Sequence, residues 1–405
     1  MHPNNLRQNS GQNPRQIRLL CIMICIACLT GFSTDIYIPS FSYMAHDLNT
    51  NMKHVQWTMA IYMFGVSLSQ LVYGPISEGF GRRPPLIFGL SVMLLGSIGC
   101  TFSSNITLLL CCRFIQGLGA GACASLWRSI FRDAFDITKM ATYGSYLGMA
   151  MVFIVPSSPM LGGILQEKFH WRYSFGAVVI AVSIVLSLVL FFLKETNTSI
   201  DPKKLSTSFF KSALLELLKS PIFMGYTFCT FLTYGAFFSW FVVGPVLMIE
   251  GLKMSPEIFG RVNFIMAIVA MGGAVFTNKR FLPKYGPAFM LRLGWGCMIM
   301  GAAILLISNM LCTFSLYSML PPMLLFFFGS AFIWPVAFAS AFTPFGHIAG
   351  YAGSLYSFMQ LGGGAVVGWM ASFLPKDHPS ALALLFLSVT IAALLIFEMY
   401  IRPKD

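Results

Sequence analysis

The chain has 405 residues, a formal net charge of +12, 57% hydrophobic residues and only 10% charged ones. A water-soluble domain carries about 25% charge, so a fully water-facing surface is excluded and lipid must cover most of this one. The surplus of bases comes without the basic–aromatic stripe that binds nucleic acid, and it fits basic cytoplasmic loops instead.

Apolar runs of ~20 residues recur down the chain, each long enough to cross a bilayer as a helix. Helices satisfy their own backbone hydrogen bonds, which lipid cannot do. The predicted spans are 18–40, 54–77, 84–103, 107–129, 141–165, 172–193, 221–248, 256–278, 287–308, 313–339, 347–371 and 379–401. The first run follows Arg15 and Arg18 as a signal peptide would, but it lacks a small-residue cleavage site and continues to Asp35 and Pro39, so it is read as a retained span. The fold class expected is an all-α membrane protein of twelve helices in two pseudo-symmetric six-helix halves, 1–193 and 221–405.

The segment 194–220 separates the halves. It is polar at Asp201-Pro202 and Lys203-Lys204, and ends in Phe209, Phe210, Leu214, Leu215, Leu217 and Leu218 interleaved with Lys211, Glu216 and Lys219. That pattern predicts an amphipathic helix on the membrane surface. With both termini and this linker in the cytoplasm, most bases fall inside, including Arg7, Arg82, Arg83, Arg402 and Lys404. Only Lys53, Lys168, Arg172, Lys253, Arg261 and Lys376 lie in outer loops. Gly74–Arg83 after the second span and Thr277–Gly286 after the eighth are both tight basic loops. The fifth and eleventh spans are both glycine-rich. Repeated six-span halves mark a transporter, and glycine-lined helices pack closely enough to slide.

Intramembrane ionisable groups are functional suspects. Asp35 and Arg113 are both placed ~8–9 Å below the outer face by helical rise, so they can pair, and a cation competing for Asp35 would disturb its proton. Gln116 lies one turn from Arg113 on the same face. Arg128, deeper in the fourth span, is expected to snorkel to the interface. In the loop after span two, Glu78 is suited to a helix N-terminus, and Arg82 or Arg83 to Asp133 or Asp136. Pro156 and Pro159 must kink the fifth helix or free its carbonyls. Trp57, Trp171 and Trp369 fit interfacial anchors. Tyr37, Trp240 and Trp334 are candidates to line a cavity. Cys21, Cys25 and Cys28 share helical spacing without a compatible His, and so predict packing rather than a metal site. Neither a P-loop nor a strand-borne GxGxxG is present, so no cofactor, no ATP and no enzymatic activity are expected.

Several stretches together resemble the major facilitator superfamily, and within it the Bcr/CflA group of twelve-span drug–proton antiporters. They are Ser33–Pro39, Gly74–Arg83 with Pro84, Arg113–Gly119 with Arg128 and Arg132-Asp133, Pro156–Gly163, Trp171-Arg172 and Gly350–Gln360. The resemblance implies a monomeric, proton-driven exporter in the inner membrane, with a cavity between its halves. It implies proton and substrate coupling at Asp35, Arg113 and Gln116, gating at Glu78, Gly81, Arg82, Arg83 and Asp133, and an antiporter helix bearing Pro156, Pro159, Gly162 and Gly163. Three residues depart from the family pattern: Glu78 stands for the usual Asp, Gly79 for a basic residue, and Ser158 for a small Gly or Ala. The cargo expected is small and apolar or cationic. The alternatives are export of one dedicated metabolite, such as a siderophore or amino-acid derivative, and a non-transporting sensor or channel.

Overall fold

The computed structural model describes residues 14–197, 207–311, 314–345, 348–375 and 377–401. Asp201 to Lys204, Arg7, Cys312, Lys376, Arg402 and Lys404 lie outside the described residues, as do the side chains of Phe209 and Phe210. The helices are α1 (Pro14–Asp35), α2 (Phe41–Asp47), α3 (Met52–Phe80), α4 (Arg83–Thr101), α5 (Ile106–Ala134), α6 (Ile137–Lys168) and α7 (Trp171–Phe192). They continue as α8 (Thr207–Lys219), α9 (Pro221–Pro245), α10 (Pro256–Leu311), α11 (Leu316–Phe342), α12 (Ala349–Ala371) and α13 (Ser380–Ile396).

Two of these bounds correct the sequence reading. The first span was expected to run unbroken over 18–40, but α1 stops at Asp35 and the chain passes through a short 3₁₀ turn, Ile38–Ser40, into α2. The cause is Pro39, whose ring would clash with the carbonyl four residues back, that of Asp35, and which has no N–H to offer it. The eighth and ninth spans are joined in α10, broken only at Gly286, whose φ of 76° is a left-handed conformation that suits glycine. Gly81, with φ of 88°, ends α3 in the same manner in the corresponding loop of the first half.

Ten helices are long and apolar enough to cross a membrane among the described residues. The predicted eighth and eleventh spans are helical too, as the first limb of α10 (256–285) and as α12. Glycine, serine and Gln360 dilute the hydropathy of α12. It tolerates this because it packs on α3 and α9 rather than facing lipid all round. With α2 continuing α1 and α10 holding two limbs, the described residues supply twelve helical stretches long enough to cross. Helix α8 has 13 residues, only ~20 Å of helix, too short to cross.

Helices α1 and α3–α7 form one group and α9–α13 the other, with α6 and α12 packing extensively across. The most extensive contacts between the groups are α3 with α12 and α6 with the first limb of α10. The amphipathic α8 does not simply lie on lipid as expected. Its Ala213 and Leu217 are buried in a cluster with Phe223, Phe345, Tyr351 and Leu355, while Leu215 and Leu218 stay exposed. Trp171 is no lipid anchor either, since it is fully buried and donates its indole N–H to Asp47 at 2.9 Å. Trp57 donates to Ser372 Oγ across the groups at 3.1 Å.

Candidate functional site

The break after Asp35 positions the first part of the site. Asp35 ends α1 and makes no side-chain hydrogen bond or ion pair among the described residues, yet it lies within electrostatic reach of Arg113 on α5 and of Tyr234 on α9, in the other group of helices. The direct Asp35–Arg113 pair that equal depth suggested is not formed. Arg113 is instead enclosed. Its guanidinium lies over the rings of Tyr62, Tyr37 and Phe175, with centroids at 4.1, 4.4 and 5.7 Å. It donates to the Ser33 carbonyl at 3.2 Å, the Thr58 carbonyl at 3.4 Å and the Gln116 side-chain oxygen. Gln116 donates onward to Ser97 Oγ at 2.8 Å. The arginine therefore ties α1, α3, α4 and α5 together, with a π-face from α7. Its Nη2 is buried without an acceptor. A buried cation with a spare donor beside a partnerless carboxylate is an arrangement whose balance a proton or a cationic ligand would change.

Tyr37 and Trp240 are both buried within their own helix groups. The turn past Asp35 carries Tyr37 into the first group, where it is fully buried, bonded to Thr58 at 2.9 Å and packed on Phe41 and Phe175. Trp240 is buried because its indole N–H reaches Asn263 at 2.9 Å inside the second group. Trp334 remains half-buried, edge-on to Phe237 at 4.8 Å, and its indole nitrogen has no acceptor.

Beside Asp35 the backbone of α6 meets that of the turn after α1 and, across the groups, that of α10. A Cβ added at Gly162 would overlap the Ile36 carbonyl oxygen, and one at Gly163 the Pro256 carbonyl. One at Gly260 would lie 2.5 Å from the Pro159 carbonyl. Only residues without a side chain allow this approach. Gln56 adds a bond from α3 to the Val242 carbonyl at 2.7 Å. Helix α6 runs through both prolines without interruption. Pro159 has no N–H for the Val155 carbonyl, and Ser158 Oγ donates to that oxygen at 2.6 Å. Ser157 Oγ donates to the Ile154 carbonyl at 2.7 Å. The departure at Ser158 thus supplies the hydrogen bond that proline removes.

At the other end, Arg82 is 2% exposed and forks between Glu78 at 2.9 Å, Asp133 at 3.0 Å and Ser77 at 2.7 Å. Asp133, not Asp136, takes the arginine. Glu78 Oε1 lies 3.3 Å from where a Cβ on Gly350 would sit, in the first turn of α12, where a helix dipole favours a carboxylate. Arg83 donates instead to the Leu190 carbonyl at 2.7 Å. Sequence reasoning missed Glu195. Its oxygens accept from the backbone N–H groups of Arg82 at 2.8 Å and Arg83 at 3.0 Å, capping α4, and also from Thr196 and Asn197. Burial pushes its carboxyl up, but these four donors outweigh it and hold it below the usual carboxylate range. A lone carboxylate directly after a span was the available signal. A Cβ at Gly81 would lie 2.6 Å from Glu195 Oε2, so the left-handed turn and the cap depend on one another.

The sequence profile of the Major Facilitator Superfamily matches residues 23–368. Multidrug resistance protein D of Escherichia coli is 28% identical over 396 residues, covering 94% of each chain. The Bicyclomycin resistance protein homolog of Haemophilus influenzae is 27% identical, covering 87% of this chain and 88% of its own. The Chloramphenicol resistance protein of Pseudomonas aeruginosa is 29% identical, covering 86% and 82%. Among solved structures, that of a D-xylose–proton symporter superposes with a TM-score of 0.76 at 16% identity, over 96% of this chain and 99% of its own. The twelve-crossing fold and the match along most of its length establish that this chain belongs to the major facilitator superfamily, as a multi-pass membrane transporter and not an enzyme.

Proposed function

We propose that the protein is a proton-coupled antiporter that exports small, largely apolar or cationic compounds by alternating access. The observation that carries this reading is Asp35, a carboxylate without a hydrogen bond or ion pair among the described residues, within electrostatic reach of the enclosed Arg113 and of Tyr234 across the seam. A protonated Asp35 leaves the spare Arg113 donor without compensation, and an ionised one invites a cation. A site with those two states can exchange a proton for a substrate. The names of the relatives support the drug-efflux direction. On this reading the residues 1–193 and 221–405 are the two moving halves and 194–220 the linker. Both termini face the cytoplasm of a cell whose inner membrane holds a monomer. The glycine contacts of α6 with α1 and α10 close the outer side, while Glu78, Gly81, Arg82, Arg83 and Asp133 govern the inner side.

Accumulation of bicyclomycin, chloramphenicol and a cationic dye is the test, in an efflux-deficient bacterium expressing the protein. The reading expects lower accumulation of at least one compound and reversal by a protonophore. Unchanged accumulation of all three, with secretion of a single metabolite lost on deletion, would point to the dedicated exporter.

A further inference from the structure

On the basic side of the molecule the two helix groups enclose a cavity of about 280 Å³. Helix α3 contributes Gln70 and Glu78, α5 contributes Ser125, Arg128, Ser129 and Arg132, and the facing wall is Phe338, Phe342, Ser354 and Ser357 of α11 and α12. The charges there do not cancel. Glu78 and Asp133 are matched by Arg82 and Arg132. Arg128 is left over, with no carboxylate partner or hydrogen bond among the described residues. It is exposed to solvent, on a face of α5 turned towards Phe338 of the second group. Its guanidinium lies over two rings, with the centroids of Trp127 at 4.6 Å and Phe338 at 5.8 Å. A second, independent feature points to a ligand. Gln70 is 2% exposed, lines the same cavity, and its Nε2 has no acceptor. A buried amide donor left without an acceptor is costly, and an unpaired guanidinium is the side chain best suited to a carboxylate or phosphate. Four serine hydroxyls surround the space, and the stacked pair Phe338–Phe342, with centroids at 4.1 Å, forms one apolar wall.

We infer that this cavity binds the anionic head of a small amphiphile, a carboxylate or phosphate monoester with an apolar body, with Arg128 as its charge partner and Gln70 as its second donor. The head sits between Arg128 and Gln70, and the body lies against Phe338 and Phe342. Because α3 and α5 hold the head while α11 and α12 hold the body, the occupant bridges the two groups of helices. Binding here needs no transport cycle, so its test is separable from that of the export reading.

The experiment measures equilibrium binding of 1-naphthyl phosphate and of uncharged 1-naphthol to the full-length protein in phosphatidylcholine nanodiscs. The expected result is saturable binding of the phosphate and much weaker binding of the alcohol. Arg128→Gln should lower affinity for the phosphate by about tenfold or more, and Gln70→Leu by a smaller factor. Arg128→Lys should retain most of it, which separates lost charge from lost fold. A parallel arm replaces half the lipid with phosphatidylglycerol. A soluble occupant leaves naphthyl phosphate affinity unchanged. A lipid headgroup occupant displaces the probe, and native mass spectrometry finds phosphatidylglycerol retained on the wild type but not on Arg128→Gln. Equal binding of phosphate and alcohol, or binding of both phosphate probe and lipid unchanged in Arg128→Gln, would overturn the inference.

Discussion

The α-carbon of Gly162 lies against the Ile36 carbonyl oxygen so closely that no side chain fits between them. The oxygen belongs to the turn that Pro39 forces after Asp35, so the contact couples the antiporter helix α6 to the end of α1 where the carboxylate sits. Gly162→Ala is therefore expected to push α6 from α1, at a cost of about 1–3 kcal/mol. The matched control is Gly148→Ala, where nothing lies within 4 Å. Thermal unfolding in detergent should drop clearly for the first and stay near wild type for the second. A thiol reagent should label a cysteine placed near Asp35 faster in Gly162→Ala.

Ser158→Ala removes the donor that replaces the missing Pro159 N–H at the Val155 carbonyl. With Ser158 fully buried, the expected loss is about 1–3 kcal/mol for an unsatisfied buried acceptor. Ser158→Thr keeps the hydroxyl and should recover most of it. Comparison of the melting temperatures checks the role directly.

Arg82→Ala would leave Glu78 and Asp133 without their shared cation in a mostly buried setting, which costs about 3–5 kcal/mol. Arg82→Lys should rescue little, because an ammonium cannot fork to two carboxylates and a hydroxyl in one plane. Near-wild-type melting temperature and efflux in Arg82→Lys would show that charge alone is needed there.

Glu195 makes a pH prediction. Its folded carboxyl titrates below the usual range, so the stability it contributes is present above the unfolded value and is lost as the pH falls through the folded one. The group is solvent-exposed, so the effect is modest, in line with a cap of about 1 kcal/mol. Melting temperature measured from pH 7 down to pH 3 should fall with an acidic limb in the wild type, and Glu195→Gln should start lower and lack that limb.

Much of the fold was legible because lipid imposes a length on each helix, and the polar linker and tight basic loops interrupt the runs plainly. What was not legible depends on three-dimensional neighbours. Pro39 was read as near the end of a span, but its effect on the carbonyl four residues back is what ends α1 at Asp35. Tyr37 and Trp240 were read as cavity candidates, and only three-dimensional neighbours show that they bond Thr58 and Asn263 within their own helix groups. Glu195 lies over a hundred residues from the backbone it caps, so its place after a span marks it without naming its partner. Ser158 departs from the family pattern, and its bond to the Val155 carbonyl is visible only in the folded helix.

The central claim is that Asp35 carries the proton exchanged for substrate. Its most direct test reconstitutes the protein in liposomes with a pH-sensitive dye inside and adds a compound identified in the accumulation assay. Substrate movement should drive opposite proton movement in the wild type. Asp35→Asn should still exchange labelled for unlabelled compound but move no protons. Proton movement in Asp35→Asn equal to that of the wild type would contradict the account.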